Sequence, residues 1–261
     1  DGDHAYSFGL KGGDGNLFTK AFFKWFDDGL KEDLQELRVT GGEPLMSADM
    51  WKLFDWFKDN HGKSNMRLAI NSNLGGKDAL IDKLIEKSQH VEHFHLYTSC
   101  EAIFDQAEYI RDGLNYEQWL RNFKEGLSVS TNPRQMRLDY TITMPGLLEL
   151  KNMFDLSQQL NTEVLTKIMF TFSNDEIMSP LSLPKELLHT IIDEALAYMK
   201  PRATWKQRAL IEVIKNLKTR ETFTPTTKGK KRQQYLDKIR KQDITKILSK
   251  DKRILDWWKS I

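Results

Sequence analysis

Cysteine occurs once in this 261-residue chain, at Cys100. One thiol excludes an internal disulfide framework and leaves too few thiolates for a metal cluster held by this chain alone. No apolar run approaches the ~20 residues that cross a bilayer, so a membrane partner is not expected. No charged-then-apolar leader opens the chain, and a cytoplasmic setting is expected. A phosphate-cradling Gly-x-x-x-x-Gly-Lys loop and a Gly-x-Ser-x-Gly nucleophile turn are both missing. Methionine is missing at the first position, where the chain reads Asp1-Gly2-Asp3. We expect a fragment whose start lies upstream.

The composition is 39% hydrophobic and 29% charged, which suits one globular domain with an appendage. The formal charge of +2 hides a split. From Arg202 to Ile261 there are 18 Lys and Arg against 6 Asp and Glu; the preceding residues carry 21 against 31. A basic tail beside an acidic body reads first as a solvated helical face attracted to that body. Its second reading is a surface for an acidic peptide or protein, with nucleic acid the weaker candidate.

Periodicity divides the chain. Helical spacing runs through Leu17 to Leu34, Ser47 to Asn60, Lys77 to Ser88, Tyr116 to Leu127 and Leu147 to Leu160. Between these lie strand-like segments ending near Thr40, Asn71, Ser99, Met144 and Phe172. Helices alternating with strands predict a parallel α/β sheet with helices outside it. After Ser179 the pattern is helical only: Pro184 to Lys200, Trp205 to Leu217 and Gln233 to Leu248. The Thr224–Lys231 stretch reads as a mobile loop, and Gly12–Asn16 as a flexible connection. The expected division is 1–178 for the α/β body and 179–261 for a basic helical extension. Trp257 and Trp258 read as an apolar plug onto the body.

In parallel α/β folds ligands sit beyond the carboxyl ends of the strands. Here those ends are polar or glycine-rich: Thr40-Gly41-Gly42-Glu43, Asn71-Ser72-Asn73, Thr98-Ser99-Cys100-Glu101 and Thr141-Ile142-Thr143. Gly41-Gly42-Glu43-Pro44 is the most informative of them. Two glycines let backbone approach a ligand, a carboxylate accepts charge-assisted hydrogen bonds from an amine, and proline ends the strand.

This tetrapeptide resembles the GGE motif of radical S-adenosylmethionine (SAM) enzymes. The segments after it resemble the same family over residues 1–175: the Asn-containing turn Asn71-Ser72-Asn73, then Ser99-Cys100-Glu101-Ala102, then Ala107 to Gly113. The resemblance implies a partial (β/α)6 TIM-like barrel lacking its first strand. It implies that Gly41, Gly42, Glu43 and Pro44 meet the SAM amino group. Ser99 and Glu101 would meet the ribose, Arg111 the SAM carboxylate, and Asn71, Asn73 and Thr143 the rest. It also implies a [4Fe–4S] cluster and an electron donor. In that family the reduced cluster cleaves SAM to a 5′-deoxyadenosyl radical that abstracts hydrogen from a substrate. The charge split hints at a peptide or other acidic substrate.

The departure from the family is the Cys-x3-Cys-x2-Cys loop, which is missing; Cys100 cannot replace it. Its ligands are expected upstream of Asp1, and no catalytic residue is expected within these residues. The stretch Met178 to Pro184, followed by helices without cysteine, resembles a subgroup related to twitch proteins. Two other functions stand beside this one. One is a non-catalytic module that binds SAM or a nucleotide. The other is a barrel metal-dependent hydrolase using His93 and His95, which alternate onto one strand face.

Overall fold

A computed structural model describes residues 17–131, 134–169 and 171–261. The connection read over Gly12–Asn16 lies outside the described residues. The first helices are α1 (Leu17–Trp25) and the short α2 (Lys31–Asp33), joined by a π-helical turn over Phe26–Leu30. The single long helix expected to Leu34 is interrupted because Gly29 adopts φ +132°, outside the helical region. Strand β1 (Glu36–Val39) follows, then α3 (Ala48–Asp59), β2 (Arg67–Ser72), α4 (Asp78–Ser88) and β3 (Phe94–Ser99). Next come α5 (Phe104–Ile110), α6 (Tyr116–Ser128), β4 (Met136–Ile142), α7 (Leu150–Gln159) and β5 (Glu163–Ile168). The remainder is helical: α8 (Lys185–Met199), α9 (Arg208–Leu217), α10 (Thr227–Arg240), α11 (Ile244–Leu248) and α12 (Lys252–Ser260).

Five parallel strands form one sheet in the order β1-β2-β3-β4-β5. Each strand neighbours the next in sequence, with helical segments in between, as a parallel α/β sheet requires. This is consistent with a partial TIM-like fold. No helix among the described residues is long and apolar enough to cross a membrane.

The chain divides into two compact units, one ending at Tyr97 and one running Thr98–Ile261. In the first, α3 is capped by Ser47, whose Oγ accepts from Met50 N at 3.4 Å. The helix buries Met50, Trp51, Leu53, Phe54 and Phe57 at helical spacing. In β2, Leu68, Ala69 and Ile70 are all fully buried, as expected of a strand covered on both faces.

In the second unit, β4 pairs with β5 from Arg137↔Glu163 to Ile142↔Ile168. Leu138, Tyr140 and Ile142 share a face and are fully buried, while Arg137 and Thr141 on the opposite face stay partly open. Arg137 pairs with Glu163 at 3.1 Å, and Lys167 with Asp139 at 2.8 Å. Helices α8 and α9 bury Leu188, Ile192, Leu210 and Ile214 completely.

The C-terminal helices are joined to α5 by a buried polar knot. Asp237 Oδ1 accepts from Tyr109 Oη at 2.8 Å and from Gln233 Nε2 at 3.0 Å. Asp237 Oδ2 accepts from Ile244 N at 2.8 Å. Burial raises the Tyr109 hydroxyl far above its ordinary range, and the bond to Asp237 adds to it, so Tyr109 stays a donor. Trp258 is buried and Lys230 Nζ donates to its carbonyl at 2.7 Å.

Several local expectations are corrected. Thr224–Lys231 is not all loop: Thr226 Oγ1 accepts from Gly229 N at 3.1 Å and starts α10 at Thr227. The helix expected from Gln233 to Leu248 is broken at Lys241, which is left-handed at φ +55°. The strand expected from Val91 starts at Phe94, so His93 sits in the preceding turn, exposed, and does not share a strand face with His95. Helix α5 has seven residues, too few turns for its periodicity to show in the sequence.

Gly229 supplies a test of how α10 is seated. A Cβ built there would lie 2.5 Å from the Asp175 carbonyl oxygen, a backbone atom that cannot swing aside. Gly229→Ala is expected to destabilise the protein by about 1–3 kcal/mol through overpacking. Urea unfolding followed by far-UV circular dichroism measures it; an unchanged midpoint would show that the loop around Asp175 yields freely.

Candidate functional site

Two clusters of polar residues lie at strand carboxyl ends, one in each unit. In the first unit the chain leaves β1 through Gly41 at φ +89° and Gly42 at φ +53°. A Cβ on either would meet nothing within 4 Å. Glycine is therefore demanded by the left-handed backbone and not by crowding.

That turn delivers Glu43, whose carboxylate is held on both oxygens. Oε1 accepts from Leu45 N at 3.1 Å and from Ser72 Oγ at 2.8 Å. Oε2 accepts from Asn73 N at 2.9 Å. Pro44 is buried and opens the short helical turn Pro44–Met46, where its missing N–H costs nothing. The loop after β2 is closed in turn. Ser72 Oγ accepts from Leu74 N at 3.0 Å, and Asn73 Oδ1 from Gly75 N at 2.8 Å. Asn71 lies on β2, on the face opposite Ser72. Glu43 is half-buried, so a fixed acceptor with about one of its four lone-pair directions left open, on Oε2, remains partly accessible.

The second cluster is built on the ends of β3 and β4. Arg111 forks onto Glu101: Nη2 donates to Oε1 at 2.6 Å and Nε donates to Oε2. Glu101 is 8% exposed. Burial works against the Arg111 charge, but the hydrogen bonds and charge of Glu101 outweigh it and hold the guanidinium above its ordinary value. Thr143 Oγ1 accepts from Gly146 N at 3.0 Å. A Cβ on Gly146 would lie 2.9 Å from Thr143 Oγ1 and 3.1 Å from the Glu101 carbonyl oxygen. Tyr140 Oη donates to the Gly146 carbonyl at 2.7 Å. Ser99, the last residue of β3, is half-buried.

The structure thus brings Gly41, Gly42, Glu43, Pro44 and Asn73 together, and separately brings Glu101, Arg111 and Thr143 together. It adds two residues that sequence reasoning missed. Ser72 binds the Glu43 carboxylate; its place between two candidate asparagines was the available signal. Gly146 lets the ends of β3 and β4 approach each other, and only the Pro145-Gly146 turn hinted at it.

A cationic amine suits the Glu43 cradle, which offers a positioned carboxylate beside open glycine backbone. A [4Fe–4S] cluster does not suit these residues. Cys100 is buried, its thiol donates to the Ala102 carbonyl at 3.1 Å, and burial pushes it well above its ordinary pKa. Among the described residues no group of three His, Cys, Asp or Glu side chains could hold a metal ion.

No family model and no curated protein matches the sequence. Solved structures do match by fold. A crystal structure of Streptococcus suis SuiB bound to precursor peptide SuiA superposes with a TM-score of 0.50 at 12% identity, over 75% of this chain and 44% of that one. SuiB bound to S-adenosylmethionine gives a TM-score of 0.50 at 12% identity, over 74% and 45%. A further SuiB structure gives 0.50 at 13%, over 76% and 46%. This chain spans less than half the length of those it matches. At this identity the similarity is one of fold alone.

The Glu101–Arg111 pair can be tested by its energetics. Arg111→Met strands a buried carboxylate and is expected to cost about 3 kcal/mol, whereas Arg111→Met with Glu101→Gln costs less than the two single changes summed. Denaturant unfolding of the four proteins of this cycle reads the coupling; strict additivity would mean the pair contributes nothing as a pair.

Proposed function

We propose that this chain is the SAM-binding part of a radical SAM-type enzyme acting on a peptide. The observation that carries the reading is the Glu43 carboxylate, fixed at the carboxyl end of β1 by Ser72 Oγ and by the Leu45 and Asn73 amides. The residues named from the family resemblance then have these roles. Glu43 accepts the amino group of SAM, with the Gly41 and Gly42 backbone beside it and Pro44 fixing the turn. Asn71 and Asn73 orient the methionyl end. Ser99 and Glu101 serve the ribose, Thr143 shapes the loop beside Glu101, and Arg111 holds Glu101 in place or turns to the SAM carboxylate.

Bound SAM, given one electron by a reduced cluster, would supply the hydrogen-abstracting chemistry of such an enzyme. What these residues contribute is binding, orientation and a fixed negative charge facing an ammonium. The cluster does not fit the residues present, so we assign its ligands, and the contact with an electron donor, to a part of the protein outside these residues. The peptide substrate is supported by the fold similarity to a protein whose structure holds a precursor peptide. The helices after Ser179 are proposed as an extension of twitch-related type.

A second reading is a SAM- or nucleotide-binding module without radical chemistry. It is favoured by the single cysteine, buried and kept protonated. The hydrolase reading is set aside, since His93 lies in an exposed turn before β3.

Equilibrium dialysis with radiolabelled SAM tests the binding role. The wild-type chain is expected to bind, and Glu43→Gln, assayed well below its melting temperature, to bind at least tenfold more weakly, about 1.4 kcal/mol; the variant is also expected to melt lower, because its amide nitrogen replaces one of the oxygens that accept from Leu45, Ser72 and Asn73. A wild-type chain that does not retain SAM, or a Gln variant of equal affinity, would sink the proposal. The coding sequence upstream of Asp1 separates the two readings by the presence or absence of a Cys-x3-Cys-x2-Cys loop.

A further inference from the structure

Among the described residues, four other than glycine have left-handed backbone: Leu74, Phe104, Asn161 and Lys241. Such a conformation is costly for any L residue with a bulky side chain. In three of the four the fold supplies a reason. Leu74 is 1% exposed, and its N–H is held by Ser72 Oγ. Asparagine tolerates this region, and Asn161 accepts from the buried Lys206 ammonium at its carbonyl, 2.7 Å, and at its side chain. Lys241 ends α10, where a left-handed residue is the usual stop, and the following Gln242 N–H reaches the Asp237 carbonyl at 2.8 Å.

Phe104 has no such return. Its φ is +50°, yet the residue is 58% exposed, so folding buries less than half of it. A glycine would take the same backbone without strain. The ring does have a definite setting. It ends a ladder of aromatic rings that climbs out of the core along α6. Phe123, Trp119 and Tyr116 are almost fully buried. Their centroids are 5.5 Å apart from Phe123 to Trp119 and 5.6 Å from Trp119 to Tyr116, both stacked. Phe104 meets Tyr116 edge-on at 5.0 Å. Beside it opens a groove of about 580 Å³, walled by Phe104, Tyr116 and Leu120. Its rim carries Glu117 and Glu125 with Arg121 and Lys124, two charges of each sign, which selects no net charge in a ligand.

We propose that this groove anchors an aromatic side chain of the peptide substrate, with Phe104 as the ring it packs against. The inference rests on the peptide reading above and adds the residue class recognised. The ladder supplies the chemistry: its last ring has one face of its geometry satisfied by Tyr116 and its remaining edge and face open to another ring. A rim of balanced charge suits the neutral amides on either side of that residue. The volume lies within the range of small-ligand clefts and accommodates one large side chain. Phe104 follows Glu101 by three residues, so the anchor is tied by a short segment to the second polar cluster.

The test compares three capped, fluorescein-labelled pentapeptides, Gly-Ser-Xaa-Ser-Gly with Xaa as Phe, Leu or Ala, by fluorescence anisotropy on the full chain. Wild type is expected to bind the Phe peptide at least tenfold more tightly than the Ala peptide, with Leu between them. Phe104→Gly is expected to lose that preference while melting no lower than wild type; Phe104→Tyr is expected to keep it. SAM affinity, measured in parallel, should be the same for wild type and both variants, which separates this proposal from the assignment of Glu43. Phe104→Gly that melts several degrees lower and keeps the preference would make Phe104 a structural residue. A wild type with no preference would overturn the proposal. So would sedimentation showing a wild-type dimer that Phe104→Gly abolishes, because the occupant would then be a second copy of this chain.

Discussion

The carboxylate of Glu43 is the interaction on which the first unit's polar loop depends. Strand β1 has four residues, none of them fully buried, so packing alone fixes its end weakly. Beyond it the chain passes through two left-handed glycines, the most permissive backbone available. One side chain then gathers three donors, from the turn Pro44–Met46, from the Ser72 hydroxyl and from the Asn73 amide. Hydrogen bonds to an ionised acceptor are the strong ones, and three of them convert a flexible exit into a defined cradle. The same carboxylate is the group with which a cationic ligand would be met, so holding the loop and presenting the charge are one arrangement.

In the second unit the corresponding constraint is close approach. Gly146 sits where any side chain would press on Thr143 Oγ1 and on the Glu101 backbone. Tyr140 reaches out of the core to bind the Gly146 carbonyl, and burial keeps that hydroxyl protonated well above its usual range. The loops after β3 and β4 are therefore packed against each other by backbone contact, with the Glu101–Arg111 fork anchoring the outer one.

Much of the fold was legible because its signals are local. Periodicity located the five strands, and Ser47 and Pro184 marked helix starts that the structure retains. What failed was what local pattern does not encode. Gly29 and Lys241 divide helices whose apolar spacing runs on without a break. His93 falls out of β3 because Val91 closes a turn back to Ser88, at 3.0 Å, before the strand begins. In the candidate site, Gly41 to Pro44 stood out as a motif, whereas Ser72 carries no signature beyond its neighbours. The Glu101–Arg111 pair bridges ten residues, a distance at which neither helical nor strand periodicity predicts contact.

The state of Cys100 has a practical side. Its sulfur is buried against the Ala102 carbonyl and the Met153 thioether, and it stays a neutral thiol. Only the thiolate reacts at useful rates with maleimides, iodoacetamides or disulfide reagents. The folded chain is in effect already blank to thiol chemistry, with no cysteine needing removal. A single cysteine placed on the surface would take a spin label, a fluorophore or a crosslinker alone. Reactivity returning at Cys100 itself would mark the moment when the second unit opens.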